Sequence, residues 1–179
     1  SLYATTDDST LVIGVAGRVV AGDFGSNAIV GYLDVDPGSN TGVSATGALT
    51  DLDGAVDASL GGDLQFAIDG FGADVAFATL DMASSDLPDL AGWRNLTTPA
   101  DLGWLMDGTV SSSDNGVEAY IPLTTLFPDG PIGQQRTVAI VVRITNANGD
   151  AFSNQGLPQA VSGDMNQVST EAVNLTFDY

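Results

Sequence analysis

The chain has no cysteine, no histidine and no lysine, and its only basic side chains are Arg18, Arg94, Arg136 and Arg143. Without cysteine there are no disulfides, no thiolate nucleophiles and no Cys-metal sites. Without histidine the commonest general base and the commonest transition-metal ligand are gone. Serine and threonine are plentiful, but neither histidine nor lysine is present to activate them, so the expectation is a protein that is not an enzyme. Four arginines cannot build a phosphate-binding patch, which argues against nucleic acid as a partner. An anionic membrane surface would repel the chain, and no run approaches the roughly 20 apolar residues of a membrane span, so no membrane insertion is expected. The chain opens on Ser1 with no charged, apolar leader in front of it, as a mature or trimmed product would.

What is present is acid. Twenty-three acidic residues give a net charge of -19, and all but Glu118 and Glu171 are aspartate. Short aspartate side chains suit turns and loop cages, where they cap backbone groups or hold hard cations. The plainer reading is a charged, solubilising surface in a salty or calcium-rich setting. The sharper one is several calcium sites in Asp-rich loops. With 44% hydrophobic residues the chain can still bury a core, and its 179 residues fit one domain spanning 1–179.

Hydrophobic patterning is β-rich. Residues 2–6 and 10–16 read as strands joined by a turn at Asp7 and Asp8, and 18–21 as an extension of the second. Residues 28–33, 73–80, 92–96, 116–121, 136–145 and 172–177 read as further strands. Segment 64–68 is ambiguous between strand and short helix. A helical turn is expected over 99–106, with Thr98 as cap and Pro99 in its first position, and another over 122–127. Residues 34–62, rich in Gly, Asp, Ser and Thr, read as a long functional or ion-organised loop. Asn148-Gly149 marks a hairpin. The fold class expected is all-β: an antiparallel two-sheet, jelly-roll-like β-sandwich with long Asp/Gly-rich loops and one or two helical turns.

The first candidate cage is Asp34, Asp36 and Asn40, oxygen donors at alternating loop positions broken by Gly38 and Gly42. Calcium takes six to eight oxygens at about 2.3–2.6 Å, and alternate loop residues can converge on it. Pro37 and the missing terminal Glu exclude an EF-hand. The second is Asp51, Asp53 and Asp57, with Asp63 beyond. Weaker sets are Asp107 with Asp114 and Asn115, and Asn146, Asn148 and Asp150. For each the plainer reading is an Asp-capped turn. Glu118 is the most interesting single acid, and its plainer reading is an outward strand residue. Trp93 and Trp104 could form a sugar platform or simply pack in the core. Asn95 and Asn174 each head an Asn-Leu-Thr acceptor triplet for N-linked glycan.

Five segments together carry a resemblance: LYATTDDSTLVIGVAG (2–17), NAIVGYLDVDPGSNTG (27–42), GFGADVAFATLD (70–81), NGVEAYIPLTTLF (115–127) and DAFSNQGLPQ (150–159). They resemble secreted prokaryotic β-sandwich domains of the DOMON-like superfold, which includes the family-9 carbohydrate-binding modules. Residues 33–38 match its Leu-Asp-x-Asp-Pro-Gly-like turn, and Ile121-Pro122 matches a strand end before a short helical turn. The match spans most of the chain through short motifs, and it speaks to fold more than to function. It implies structural calcium and a paired-aromatic sugar clamp, for which Trp93 and Trp104 could stand in. The resembling pattern carries a further strand upstream of Ser1, so the expectation is a first strand that is missing, disordered or donated by a neighbour.

Two functions follow. The first is a non-catalytic extracellular or cell-surface structural protein, a calcium-binding subunit of a filament, sheath or surface layer. It would self-associate into a homopolymer by strand exchange. The second is a carbohydrate-binding module with glycans as partners.

Overall fold

A computed structural model describes residues 2–7, 9–16, 27–39, 41–80, 91–113, 116–130, 133–158, 165–168 and 171–179. The extension over 18–21, and Asp8, Asn40, Asp114 and Asn115, lie outside the described residues. The described strands are β1 (Leu2–Thr6), β2 (Thr10–Ala16), β3 (Asn27–Asp34), β4 (Gln65–Phe66), β5 (Val75–Leu80), β6 (Ala91–Asn95), β7 (Gly103–Trp104), β8 (Thr109–Ser113), β9 (Gly116–Pro122), β10 (Gln135–Asn146), β11 (Phe152–Leu157), β12 (Gln167–Val168) and β13 (Val173–Asp178). Two short helices, α1 (Ala55–Leu60) and α2 (Leu123–Leu126), and a 3-10 turn at Thr46–Ala48 complete the set.

The architecture is an all-β sandwich. A four-stranded antiparallel sheet in the order β1-β2-β9-β8 packs on a seven-stranded sheet in the order β11-β10-β3-β5-β6-β7, with β13 also pairing β10. Leu11 and Ile13 of β2 and Val117, Ala119 and Ile121 of β9 meet Leu33, Phe77, Trp93 and Ile140 of the large sheet. The strict alternation along β9, Val117-Glu118-Ala119-Tyr120-Ile121, has this cause: every second residue faces the partner sheet.

The large sheet is covered on its other face too. There Val30 and Tyr32 of β3 and Ala139 and Val141 of β10 pack against Val56 and Leu60 of α1 and against Val43, Leu49, Phe66 and Phe71. That second layer explains why β3 runs apolar from Ala28 to Leu33 and is buried from Ala28 onward. It also explains α1, which falls inside the stretch 34–62 read as loop. Gly54 and Gly61 bracket only six residues, too few to show a helical period, yet Val56 and Leu60 lie one turn apart and seal the sheet.

Two other expectations need correction or completion. No helix forms over 99–106: a turn closes from the Asp101 N–H to the Thr98 carbonyl, and Gly103 and Trp104 then pair with β6 as an edge strand. Segment 64–68 resolves as a strand, β4, which lies parallel to β12. The helical turn after Pro122 forms as α2.

Candidate metal centre

β3 and β5 run antiparallel, with Leu33 opposite Val75. The next position on each strand is an aspartate: Asp34 closes β3, and Asp74 stands directly before β5, its N–H donating to the Leu33 carbonyl at 2.9 Å. Asp36 follows two residues later. One carboxylate oxygen from each of Asp34, Asp36 and Asp74 falls within 4.8 Å of the others. Asp34 and Asp74 are buried, at 1% and 4% exposure, while Asp36 is exposed.

The loops around them are folded to hold these oxygens. Asp34 accepts from the Asp36 N–H and the Gly72 N–H, both at 3.0 Å. Asp74 accepts from the Val35 N–H at 3.0 Å. The Thr41 hydroxyl lies 2.6 Å from Asp36 Oδ1 and 3.4 Å from Asp74 Oδ1. Gly72 has to be glycine, because a Cβ there would sit 1.5 Å from the Thr41 carbonyl oxygen. Its absence lets the two loops touch.

Three carboxylates this close repel one another, and burial strips them of water. Asp74 is pushed up from 3.8 to about 6, chiefly by burial and then by the charges of Asp36 and Asp34. Asp34 is raised as well, again mainly by burial. Among the described residues the ion pair found lies elsewhere, between Arg94 and Asp57. The donor set is all hard oxygen, with no nitrogen or sulfur ligand. An all-oxygen set of this kind suits hard cations such as calcium, magnesium or manganese. Asp34, Asp36 and Asp74 would hold the ion, and its positive charge would remove the cost of ionising Asp74.

The second expected cage does not gather. Asp57 lies on α1 and pairs through Oδ1 with Arg94 Nε, pinning the helix to β6. Asp51 Oδ2 accepts from the Leu102 N–H at 2.9 Å, and Asp53 and Asp63 are exposed. Asn146 accepts from the N–H groups of Asp150 and Ala151, and its own amide donates to Asp150, so that turn satisfies itself; Asn148 is exposed. Asp107 is exposed.

Trp93 is 1% exposed, its ring tilted against Phe77, and it donates to the Thr109 carbonyl at 3.1 Å. It belongs to the core and offers no face to a sugar, which corrects its place in the platform. Trp104 is 48% exposed, with the Arg94 guanidinium 3.3 Å from its ring centroid. Asn95 accepts from the N–H and hydroxyl of Thr97, within its own triplet, and Asn174 is exposed on β13. Glu118, outward as expected, accepts from both the Tyr120 and Tyr3 hydroxyls, which hold its carboxyl below the usual carboxylate range.

No protein-family model matches the chain, and no curated protein matches it. Among solved structures, a bacterial adhesin from Mobiluncus mulieris containing intramolecular disulfide, isopeptide and ester bond cross-links is similar at a TM-score of 0.27 and 9% identity. That likeness covers 97% of this chain and 55% of the adhesin chain, so this chain spans about half its length. At that TM-score it carries no functional argument. No described helix is long and apolar enough to cross a membrane.

Asp74 and Thr41 were not among the sequence candidates. The signal for Asp74 was the strand ending in aspartate (AIVGYLD) followed by a strand preceded by one (DVAFATL), which an antiparallel pairing brings end to end.

Proposed function

We propose that this chain is a non-catalytic structural module of the extracellular space or cell surface, a calcium-held β-sandwich that assembles as a subunit of a filament, sheath or surface layer. The observation that carries the reading is the Asp34–Asp36–Asp74 cluster at the junction of β3 and β5. Two of its carboxylates are buried, and they need a positive charge to ionise together without cost. A site with three carboxylates and an open, exposed side is weak by the standards of intracellular calcium proteins. It matches the ~0.1–1 mM affinities of extracellular modules.

Assembly has a physical route. β1 ends the small sheet, and among the described residues no strand pairs its outer edge. An open edge of this kind is a template for a strand from a second copy. Negative-stain microscopy of the purified protein tests this, first with calcium and then with excess chelator. Ordered filaments or sheets that dissolve on chelation support the reading. Dispersed monomers in both conditions refute it.

A second reading, glycan binding, rests on Trp104 alone, since Trp93 is buried. One ring face is backed by a guanidinium and nearly half the residue is open to solvent. A glycan array with wild type and Trp104→Ala decides it: binding lost in the variant favours this reading, and no binding by either removes it.

A further inference from the structure

Arg143 sits in β10 within the apolar run VAIVVRIT and is 0% exposed. Its Nη1 donates to its neighbour's carbonyl, Val142 O, at 3.2 Å and to the Pro158 carbonyl. Its Nε and Nη2 are buried and, among the described residues, have no hydrogen-bond partner. Those two nitrogens form one edge of the guanidinium, where two N–H bonds point out in parallel at the spacing of the two oxygens of a carboxylate.

The fold makes deliberate room for this side chain. Arg143 stands opposite Gly156 of the neighbouring strand β11. A Cβ at Gly156 would lie 2.2 Å from Nη1 and 2.9 Å from the Arg143 Cδ, so the side chain crosses β11 over a glycine. Among the described residues the other fully buried guanidinium, Arg94, shows what such a group does here when satisfied: its Nε is taken by the Asp57 carboxylate. A buried cation with three free N–H donors is costly, and a neutral water cannot offset its charge. In a chain with 23 acidic residues and four arginines, this is a fully buried positive group for which the described residues supply no negative one.

We propose that the Nε–Nη2 edge of Arg143 is a receiving site for a carboxylate. The same chemistry can be supplied by an acidic side chain of the protein itself or by a small carboxylate from solution. The test is nuclear magnetic resonance of the arginine Nε–Hε groups in the full, isotope-labelled chain. Four arginines and no lysine give a spectrum of four such signals, which through-bond correlation to the backbone assigns without any variant.

The measurement begins in carboxylate-free buffer and continues as sodium acetate is titrated in at constant ionic strength. An Arg143 Hε already shifted downfield, slow to exchange with water and unmoved by acetate supports the site, with the protein supplying the carboxylate. A saturable downfield shift on adding acetate supports it with the carboxylate taken from solution. An Arg143 Hε at the position of an exposed arginine, unmoved throughout, overturns the proposal.

Discussion

Replacing Asp74 with asparagine removes a charge that the fold holds at a cost while keeping nearly the same shape. The wild-type carboxyl titrates near 3.8 when unfolded and is pushed up to about 6 in the folded protein. A group whose folded value is raised contributes stability that is complete below its unfolded value and is lost as pH rises through the folded one. Without calcium, wild type should therefore lose stability between about pH 4 and pH 7. The rise is worth on the order of 3 kcal/mol, or roughly 6–12 °C in Tm for a chain of this length. Asp74→Asn has no such proton to lose, so its stability should fall less over that range by about this amount. Calcium should restore wild type at pH 7, do little at pH 4.5 where protons compete for the same oxygens, and leave the variant nearly unchanged. The assay is thermal unfolding followed by circular dichroism, at a series of pH values, with chelator and with 5–10 mM calcium (roughly ten times the weakest affinity expected of such a site). Parallel pH profiles for the two proteins, or equal calcium shifts in both, would show that Asp74 neither carries the pH dependence nor holds the ion.

Two further predictions concern the contacts around the sheets. Asp57→Asn leaves the Arg94 guanidinium buried without its charge partner and should cost on the order of 3–5 kcal/mol in urea unfolding. Loss of less than about 1 kcal/mol would mean that Trp104 and the Trp93 carbonyl suffice for Arg94. Glu118→Gln weakens the clasp from β9 across β2 to Tyr3. Hydrogen exchange should quicken at the amides of Leu2–Thr6 while those of β9 stay protected. Because the Glu118 carboxyl is held below its usual value, the same loosening should appear in wild type as pH falls below about 4.5, and not as it rises.

The strands that the sequence announced were those whose pattern is set by packing alone. In β2, β5, β9 and β10, β-branched and apolar residues alternate or run together because one or both faces are buried. The ones it hid are stabilised by something other than their own residues. β8 is a Thr-Val-Ser-Ser-Ser edge that exists because β9 offers it a ladder, and β11 is interrupted by the polar residues Ser153, Asn154 and Gln155. The candidate site divides in the same way. Asp34 and Asp36 are local, two residues apart on one turn, and could be named from spacing. Asp74 is 40 residues further on and joins them only through the β3–β5 register. Asp57 looked like a third member of a local cage, but a helix turned it toward an arginine on a distant strand. Spacing along the chain reports neighbours within a turn. Partners across a sheet depend on topology, which spacing does not carry.

Calorimetric titration of calcium into chelator-washed protein at pH 7.5, beside the Asp36→Asn variant, tests the central claim most directly. Asp36 is exposed, so its replacement leaves the core intact while removing one of the three carboxylates. Wild type should show a saturable event with a Kd of about 0.1–1 mM, weakened at least roughly tenfold in the variant. No calcium binding by wild type, or equal binding by both proteins, would contradict it.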